Sequence, residues 1–206
     1  MNSRFQTLAT RGFVGASLVA FSFFGYGCGS SKSATLGAQF SPSTTAATAG
    51  LVKLLPQAAS GARVVVQAVI YGPTGALDMY SFNFDVKVGD TSVLKFVSGS
   101  AVAGGALTAT GNQTIEATAS PDVSDPTLIE VHVHKSGGGA GNGVAGSSAV
   151  IVELAFDALM QGTSTLAIAG APGPTVTDQN GAAIGTIIFD SASGSVTGIS
   201  SGGGPY

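Results

Sequence analysis

Along much of this chain, apolar and polar residues alternate one for one. Tyr80, Phe82, Phe84, Val86 and Val88 interleave with Met79, Ser81, Asn83, Asp85 and Lys87, the pattern of a strand with one face buried and the other in water. Arg63 to Tyr71 (RVVVQAVIY) is apolar on both faces apart from Arg63 and Gln67, and its β-branched residues predict a more deeply buried strand. In Thr127 to Lys135, Ile129, Val131 and Val133 alternate with Glu130, His132 and His134. In Ala149 to Phe156, the positions Val150, Val152, Leu154 and Phe156 share one face. Shorter strands are expected at Thr165–Ala169, Thr175–Thr177, Ile184–Phe189 and Ser195–Ile199. Leu107–Thr110 and Gln113–Thr118 flank Gly111-Asn112, a hairpin signal, and Asn180-Gly181 marks another turn. No segment carries a helical stripe of useful length. The predicted fold is all-β, an antiparallel β-sandwich. Its expected core comprises Val64, Val66, Ala68, Ile70, Phe82, Phe84, Val86, Leu94, Phe96, Val131, Val133, Val152, Leu154, Phe156, Leu166, Ile168 and Phe189.

The ends of the chain read differently. Arg4 and Arg11 precede an apolar run from Phe13 to Phe24, too short for a membrane span of about 20 residues. The run ends in Gly25-Tyr26-Gly27-Cys28-Gly29-Ser30, which resembles a bacterial lipoprotein signal, where the cysteine becomes the lipidated first residue of the mature chain. Gly25 and Tyr26 stand where such signals usually carry Leu and a small residue. The alternative is an ordinary cleaved signal that leaves a stray thiol. An unpaired cysteine in an exported protein favours lipidation at Cys28. The expectation is an exported, membrane-anchored lipoprotein of the cell envelope or cell surface, with residues 1–27 as its signal peptide. Residues 28–50 contain a Ser/Thr/Ala/Gly tract without hydrophobic period and are expected to form a flexible tether. The folded domain is expected at 51–199, followed by a Gly-rich tail at 200–206.

Composition narrows the function classes. Hydrophobic residues make up 44% of the 206, enough to bury a core and exclude a disordered chain. The absence of Trp and a single Cys exclude a disulfide framework and a Cys-ligated zinc site. The net charge of −3 becomes more negative once residues 1–27 leave, because Arg4 and Arg11 go with them and no acidic residue does. Nothing here attracts nucleic acid. Gly141 to Gly146 satisfies GxGxxG, but Ser147 to Val152 reads as a strand where a dinucleotide site needs a helix. Gly198 to Gly202 satisfies GxSxG, yet only four residues follow it, too few for the helix of a nucleophile elbow. His132 and His134 share a strand face with Glu130 and could ligate a metal if another strand supplied further ligands, Glu153 or Asp157 for example; the alternative is a solvated polar stripe. Asp178-Gln179-Asn180-Gly181 and Asp122 with Asp125 are oxygen-rich loops, better explained by turn chemistry than by calcium. No activated nucleophile or coherent acid–base pair emerges, so the chain does not read as an enzyme and calls for no cofactor.

In order and spacing, the strands resemble those of a cohesin domain. Leu77 to Val97 (LDMYSFNFDVKVGDTSVLKFV) resembles the family's alternating aromatic strand, its Asp-containing turn and the strand that follows. Ala145 to Ile168, with Phe156, Gly162 and Thr163, and Thr175 to Ile184 resemble later segments. With Val64–Tyr71 as an opening strand, the likeness spans most of residues 60–190. The resemblance implies a nine-stranded jelly-roll sandwich without an enzymatic site. It implies a protein partner of the dockerin kind, a small calcium-loaded helical module, on one sheet face, in assemblies that degrade polysaccharide. The same architecture occurs in carbohydrate-binding modules, so a polysaccharide ligand is the alternative. Ser81 and Asn83 stand where well-known members carry an Asn and an Asp that hydrogen-bond the dockerin, and Val88-Gly89-Asp90 replaces a Tyr-Asp-Pro turn. The expected partner-binding face is Ser81, Asn83, Asp85 and Lys87.

Overall fold

The structure is a computed structural model, and it describes residues 35–44, 46–72, 77–144, 146–170 and 173–201. The alternation read from the sequence is realised as thirteen strands among these residues, with no helix. They are β1 (Thr35–Pro42), β2 (Leu51–Ser60), β3 (Arg63–Tyr71), β4 (Ser81–Val88), β5 (Leu94–Phe96), β6 (Val102–Ala103), β7 (Thr114–Pro121), β8 (Leu128–Ser136), β9 (Ser148–Ala158), β10 (Gly162–Ile168), β11 (Thr175–Thr177), β12 (Ile188–Phe189) and β13 (Gly194–Ser201). Nine run for seven residues or more, which matches the nine-stranded expectation; β5, β6, β11 and β12 are two or three residues long.

Two sheets face each other. The first has the order β1-β13-β10-β4-β8-β7, with β11 also on β4; the second has β12-β2-β3-β9-β5, with β6 also on β9. Every pairing is antiparallel except β12 with β2. Among the described residues the chain crosses from sheet to sheet between β1 and β2, β3 and β4, β4 and β5, β6 and β7, β8 and β9, β9 and β10, β11 and β12, and β12 and β13, the winding of a jelly roll. Between the sheets lie the expected core residues, all buried except Phe189. Phe189 is half-buried at the sandwich edge, its ring 5.7 Å from that of Phe84.

Several expectations are corrected. Thr35–Pro42, expected within the flexible tract 28–50, forms β1 and pairs along its whole length with β13. Its Leu36, Ala38 and Phe40 alternate inward, and Ala38 and Phe40 join the core. Small residues between them hide this period from a hydrophobicity reading. Ser200 and Ser201, expected in the tail, belong to β13. Leu107–Thr110 is not a strand, and Gly111-Asn112 does not close a hairpin. Instead Gln113 Oε1 accepts from the Thr110 amide (3.1 Å) and hydroxyl (3.0 Å), and the Thr108 amide donates to Asn142 Oδ1, while β7 pairs with β8. Of Ile184–Phe189 only the last two residues are strand. Val150 does not share the inward face of Val152, Leu154 and Phe156. The register with β3 shifts between Ala68 and Val69, so that Ile151 is the extra residue and turns into the core in place of Val150. Such a bulge moves every following side chain to the other face. The signal segment 1–27 and Cys28 lie outside the described residues.

Candidate functional site: a polar platform on the β4 sheet

β4 is the central strand of its sheet. Phe82, Phe84, Val86 and Val88 point into the core and fix its height and orientation, so Ser81, Asn83, Asp85 and Lys87 must stand on the outer face. On one side β8 brings His134 opposite Ser81, His132 opposite Asn83, Glu130 opposite Asp85 and Leu128 opposite Lys87. On the other side, β11 places Thr177 beside Ser81 and Thr175 beside Asn83, and β10 places Ala167 beside Lys87. β7 extends the rows with Glu116, Thr118 and Ser120. The result is a continuous polar surface borne on hydrogen-bonded strands.

Its centre is a connected chain of side chains. The Ser81 and Thr177 hydroxyls lie 2.7 Å apart, and Asn83 Nδ2 donates to Ser81 Oγ at 3.4 Å. Asn83 Oδ1 then faces His132 Nδ1 at 2.9 Å. With the Asn83 amide so oriented, its oxygen accepts and His132 Nδ1 carries the proton. In the neighbouring row His134 Nε2 lies 3.6 Å from Glu116. These contacts fix the side chains in advance of any partner, so less ordering is needed on binding.

The next row is strained electrostatically. Asp85 and Glu130 are directly opposite across the strand pair, an arrangement that disfavours two charges. Burial raises the Asp85 carboxyl above its ordinary range, the Glu130 charge raises it further, His132 opposes that rise and Asp122 adds a little to it. Lys87 is exposed at the end of the strand.

The other candidate residues have structural occupations. Among the described residues no three His, Cys, Asp or Glu side chains are grouped so as to hold a metal ion. The Asp122 carboxylate accepts from the Ser124 amide and hydroxyl (2.5 and 2.6 Å) and the Asp125 amide, and Asp125 accepts from Thr127 in the same way. Those bonds hold both carboxyls below their ordinary range. Asp178 Oδ1 takes the amides of Asn180 and Ala182, and Gly181 has a positive φ of 80°. These are turns held by side chains. The glycine-rich loop before β9 leads into a strand, and Ser200 sits within β13. Glu153 accepts from Gln67 at 2.8 Å, and Asp157 is paired with Arg63. Neither faces the histidines, because β9 belongs to the other sheet.

Two half-buried tyrosines are likewise engaged. The Lys53 ammonium lies 5.5 Å from the Tyr71 ring centre, and Tyr80 donates its hydroxyl to the Gly137 carbonyl with Lys135 6.0 Å from its ring. Of the residues read as outward, Ser81, Asn83, Asp85 and Lys87 do stand on the outer face of β4, whereas Met79, before the strand and bridged to Asn142, is fully buried. Sequence reasoning misses that His132, His134, Thr175 and Thr177 complete the same surface. The alternation of β8 is legible, but not its register against β4.

Compared with known proteins, the chain matches no family model and no curated protein. Among solved structures it is similar to a type II cohesin domain from the cellulosome of Acetivibrio cellulolyticus, at 16% identity and a TM-score of 0.46 over 72% of this chain and 93% of that one. A type II cohesin from Bacteroides cellulosolvens gives 11% identity and a TM-score of 0.47 over 70% of this chain and 97% of that one. A cohesin module from a Clostridium perfringens family 33 glycoside hydrolase gives 10% identity and a TM-score of 0.41, over 82% of this chain and 97% of that one.

Proposed function

We propose that this protein is a non-catalytic recognition module, exported and held at a membrane through lipid on Cys28, and that the outer face of β4 and β8 binds a protein partner. The observation that carries this reading is the His132–Asn83–Ser81–Thr177 chain. It is a row of short polar groups, pre-ordered by mutual hydrogen bonds and carried on the central strands of a sheet. A flat platform of this kind suits a helical module lying across it, which the sequence resemblance names as a dockerin-like partner, calcium-loaded, in assemblies that degrade polysaccharide. The rival reading, a carbohydrate-binding module, requires an open aromatic face for sugar rings to stack on. Tyr71 and Tyr80 each lie against a lysine, which favours the protein partner.

The test is a pull-down with the Cys28→Ala chain as bait against the secreted proteins of the source organism, with and without calcium. The expected result is a calcium-dependent partner whose capture falls more than about tenfold on Ser81→Arg/Asn83→Arg, as when a buried central contact is lost. Retention on insoluble polysaccharide, with no protein captured and no effect of those substitutions, would establish the carbohydrate-binding reading instead.

A further inference from the structure

The chain enters the sandwich at Thr35, opposite Ser201. Because β1 takes up Thr35–Pro42, only residues 29–34 separate Cys28 from the folded domain. Seven Cα steps cannot exceed about 25 Å even when fully extended. A lipid on Cys28 therefore holds this particular end of the domain close to the bilayer.

Two independent features mark the same end. The turn between β9 and β10 lies directly against β13: a Cβ on Gly198 would come within 2.3 Å of the Met160 carbonyl oxygen, so only glycine permits the approach. That turn leaves Leu159 and Met160 about half exposed, and Ile199, which pairs with Gly37 beside the entering chain, is exposed to the same degree. Next to Ile199 is an open cleft of about 550 Å³ between β1 and the β2–β3 turn, walled by Leu36, Ala38, Ala59 and Gly61. This end is also poor in charge. Residues 35–39, 59–62, 158–162 and 198–201 contain no charged side chain. The nearest charges, Arg63 and Asp157, neutralise each other at 2.7 Å. Lys95, opposite Asp157 on β5, and Asp90, in the β4–β5 turn that meets Leu159 through the Val93 carbonyl, add one charge of each sign. The acidic residues Asp85, Glu130, Asp122 and Asp125 belong instead to β4, β8 and the β7–β8 turn, three or more strands from β1 across the sheet.

We infer that the end bearing Thr35–Gly37, Leu159, Met160 and Ile199 docks on the bilayer itself, with the interface of zwitterionic phospholipid as its occupant. The inference rests on the anchoring reading above. An exposed apolar group without net charge, tethered within about 25 Å of a lipid, meets the headgroup–acyl boundary at high local concentration. The β4 platform, on the far side of β13 and β10, stays open to a partner.

The chain contains no Trp, so a single introduced indole reports its own depth. The full chain, purified from membranes, is reconstituted in phosphatidylcholine vesicles whose acyl chains carry bromine. It carries either Met160→Trp or, as control, Val102→Trp, an exposed position on the opposite sheet. The expected result is quenching and a blue shift for Met160→Trp, neither for Val102→Trp, and loss of both signals when Ile199→Glu is added to Met160→Trp. Equal response of the two variants, or no quenching of Met160→Trp, overturns docking while co-sedimentation of the protein keeps the anchor. A blue shift of Met160→Trp without quenching, as from a second protein copy covering this end, also overturns it. Failure of the unsubstituted chain to sediment with vesicles rejects both the anchor and the docking.

Discussion

β1 and β4 lie in the same sheet, have the same length and both turn alternate side chains inward, Phe40 in β1 and Phe82 and Phe84 in β4 among them, yet they are held in different ways. β4 is paired on both sides, and its four inward residues are all large and buried. β1 is an edge strand with β13 as its ladder partner. Its inward set is Leu36, Ala38 and Phe40, and its other flank meets the second sheet through the Ala38 amide on the Gly61 carbonyl. β4 is specified by its own sequence. β1 is specified by the groove that β13 and the β2–β3 turn leave for it, and Phe40 lies against Gly194, where a Cβ would come 2.7 Å from its ring.

The sharpest way to test that difference is to remove the aromatic from each strand. Phe82→Ala hollows out the centre of the core between paired strands that cannot relax, and should cost about 3–5 kcal/mol. Phe40→Ala should fall at or below the low end of that range, about 3 kcal/mol, because an edge strand can close on its neighbours. Denaturant unfolding of both variants measures this. Equal costs would mean that β1 is as much a part of the central core as β4.

A smaller effect should separate the strands by dynamics. Lys53 on β2 is buried, yet its ammonium is held by backbone carbonyls, those of Thr44 (2.9 Å) and Ala46 (2.5 Å), just beyond the end of β1. Lys53→Met preserves the stem and leaves both carbonyls without their donor, at a cost of about 1–3 kcal/mol. The clasp closes the connection from β1 to β2. Hydrogen exchange should therefore accelerate more in Leu36–Phe40 than in Phe82–Val86, by local opening of the edge rather than of the whole domain. Uniform acceleration would show that β1 and β4 open together.

The same contrast explains what can be read from the sequence. β4 and β8 are legible because large side chains mark their alternate positions, and β3 because it is apolar and β-branched almost throughout, so each strand can be judged alone. β1 is not, because Gly37 and Ala38 blur a period that only pairing with β13 makes decisive. Val150 is misplaced for a related reason. A bulge depends on the partner strand, and Ile151 and Val150 are equally apolar, so nothing local tells which turns inward. At Gly111-Asn112 the turn forms, with the Gln113 amide donating to the Thr110 carbonyl at 3.2 Å, but no hairpin follows because Leu107–Thr110 is not a strand and Gln113 Oε1 takes the Thr110 amide and hydroxyl. The candidate face is half visible. Ser81, Asn83, Asp85 and Lys87 follow from the alternation of β4, but the facing His132, His134, Thr175 and Thr177 are set by registers across 49 to 96 residues of chain.

Charge gives the smallest and most selective contrast. β1 (TLGAQFSP) contains no titratable side chain, whereas β4 carries Asp85 opposite Glu130. The native fold raises the Asp85 carboxyl, first through burial and then through Glu130. Over the pH window between the unfolded chain's ordinary value and that raised one, the native state keeps a proton that the unfolded state has released. Stability must therefore fall as pH rises through this window, the reverse of a carboxylate held in a salt bridge. Asp85→Asn removes the fall. It should stabilise the protein at neutral pH by a few tenths to about 1 kcal/mol, the usual scale of a like-charge cross-strand pair. The advantage should shrink as the pH drops toward about 4 and below, where the wild-type carboxyl becomes protonated in both states. Gln39→Asn, the matching outward substitution on β1, should show the same small effect at both pH values. An Asp85→Asn gain that persists undiminished at low pH would mean that the substitution acts through packing, and that Asp85 and Glu130 do not oppose each other across the platform.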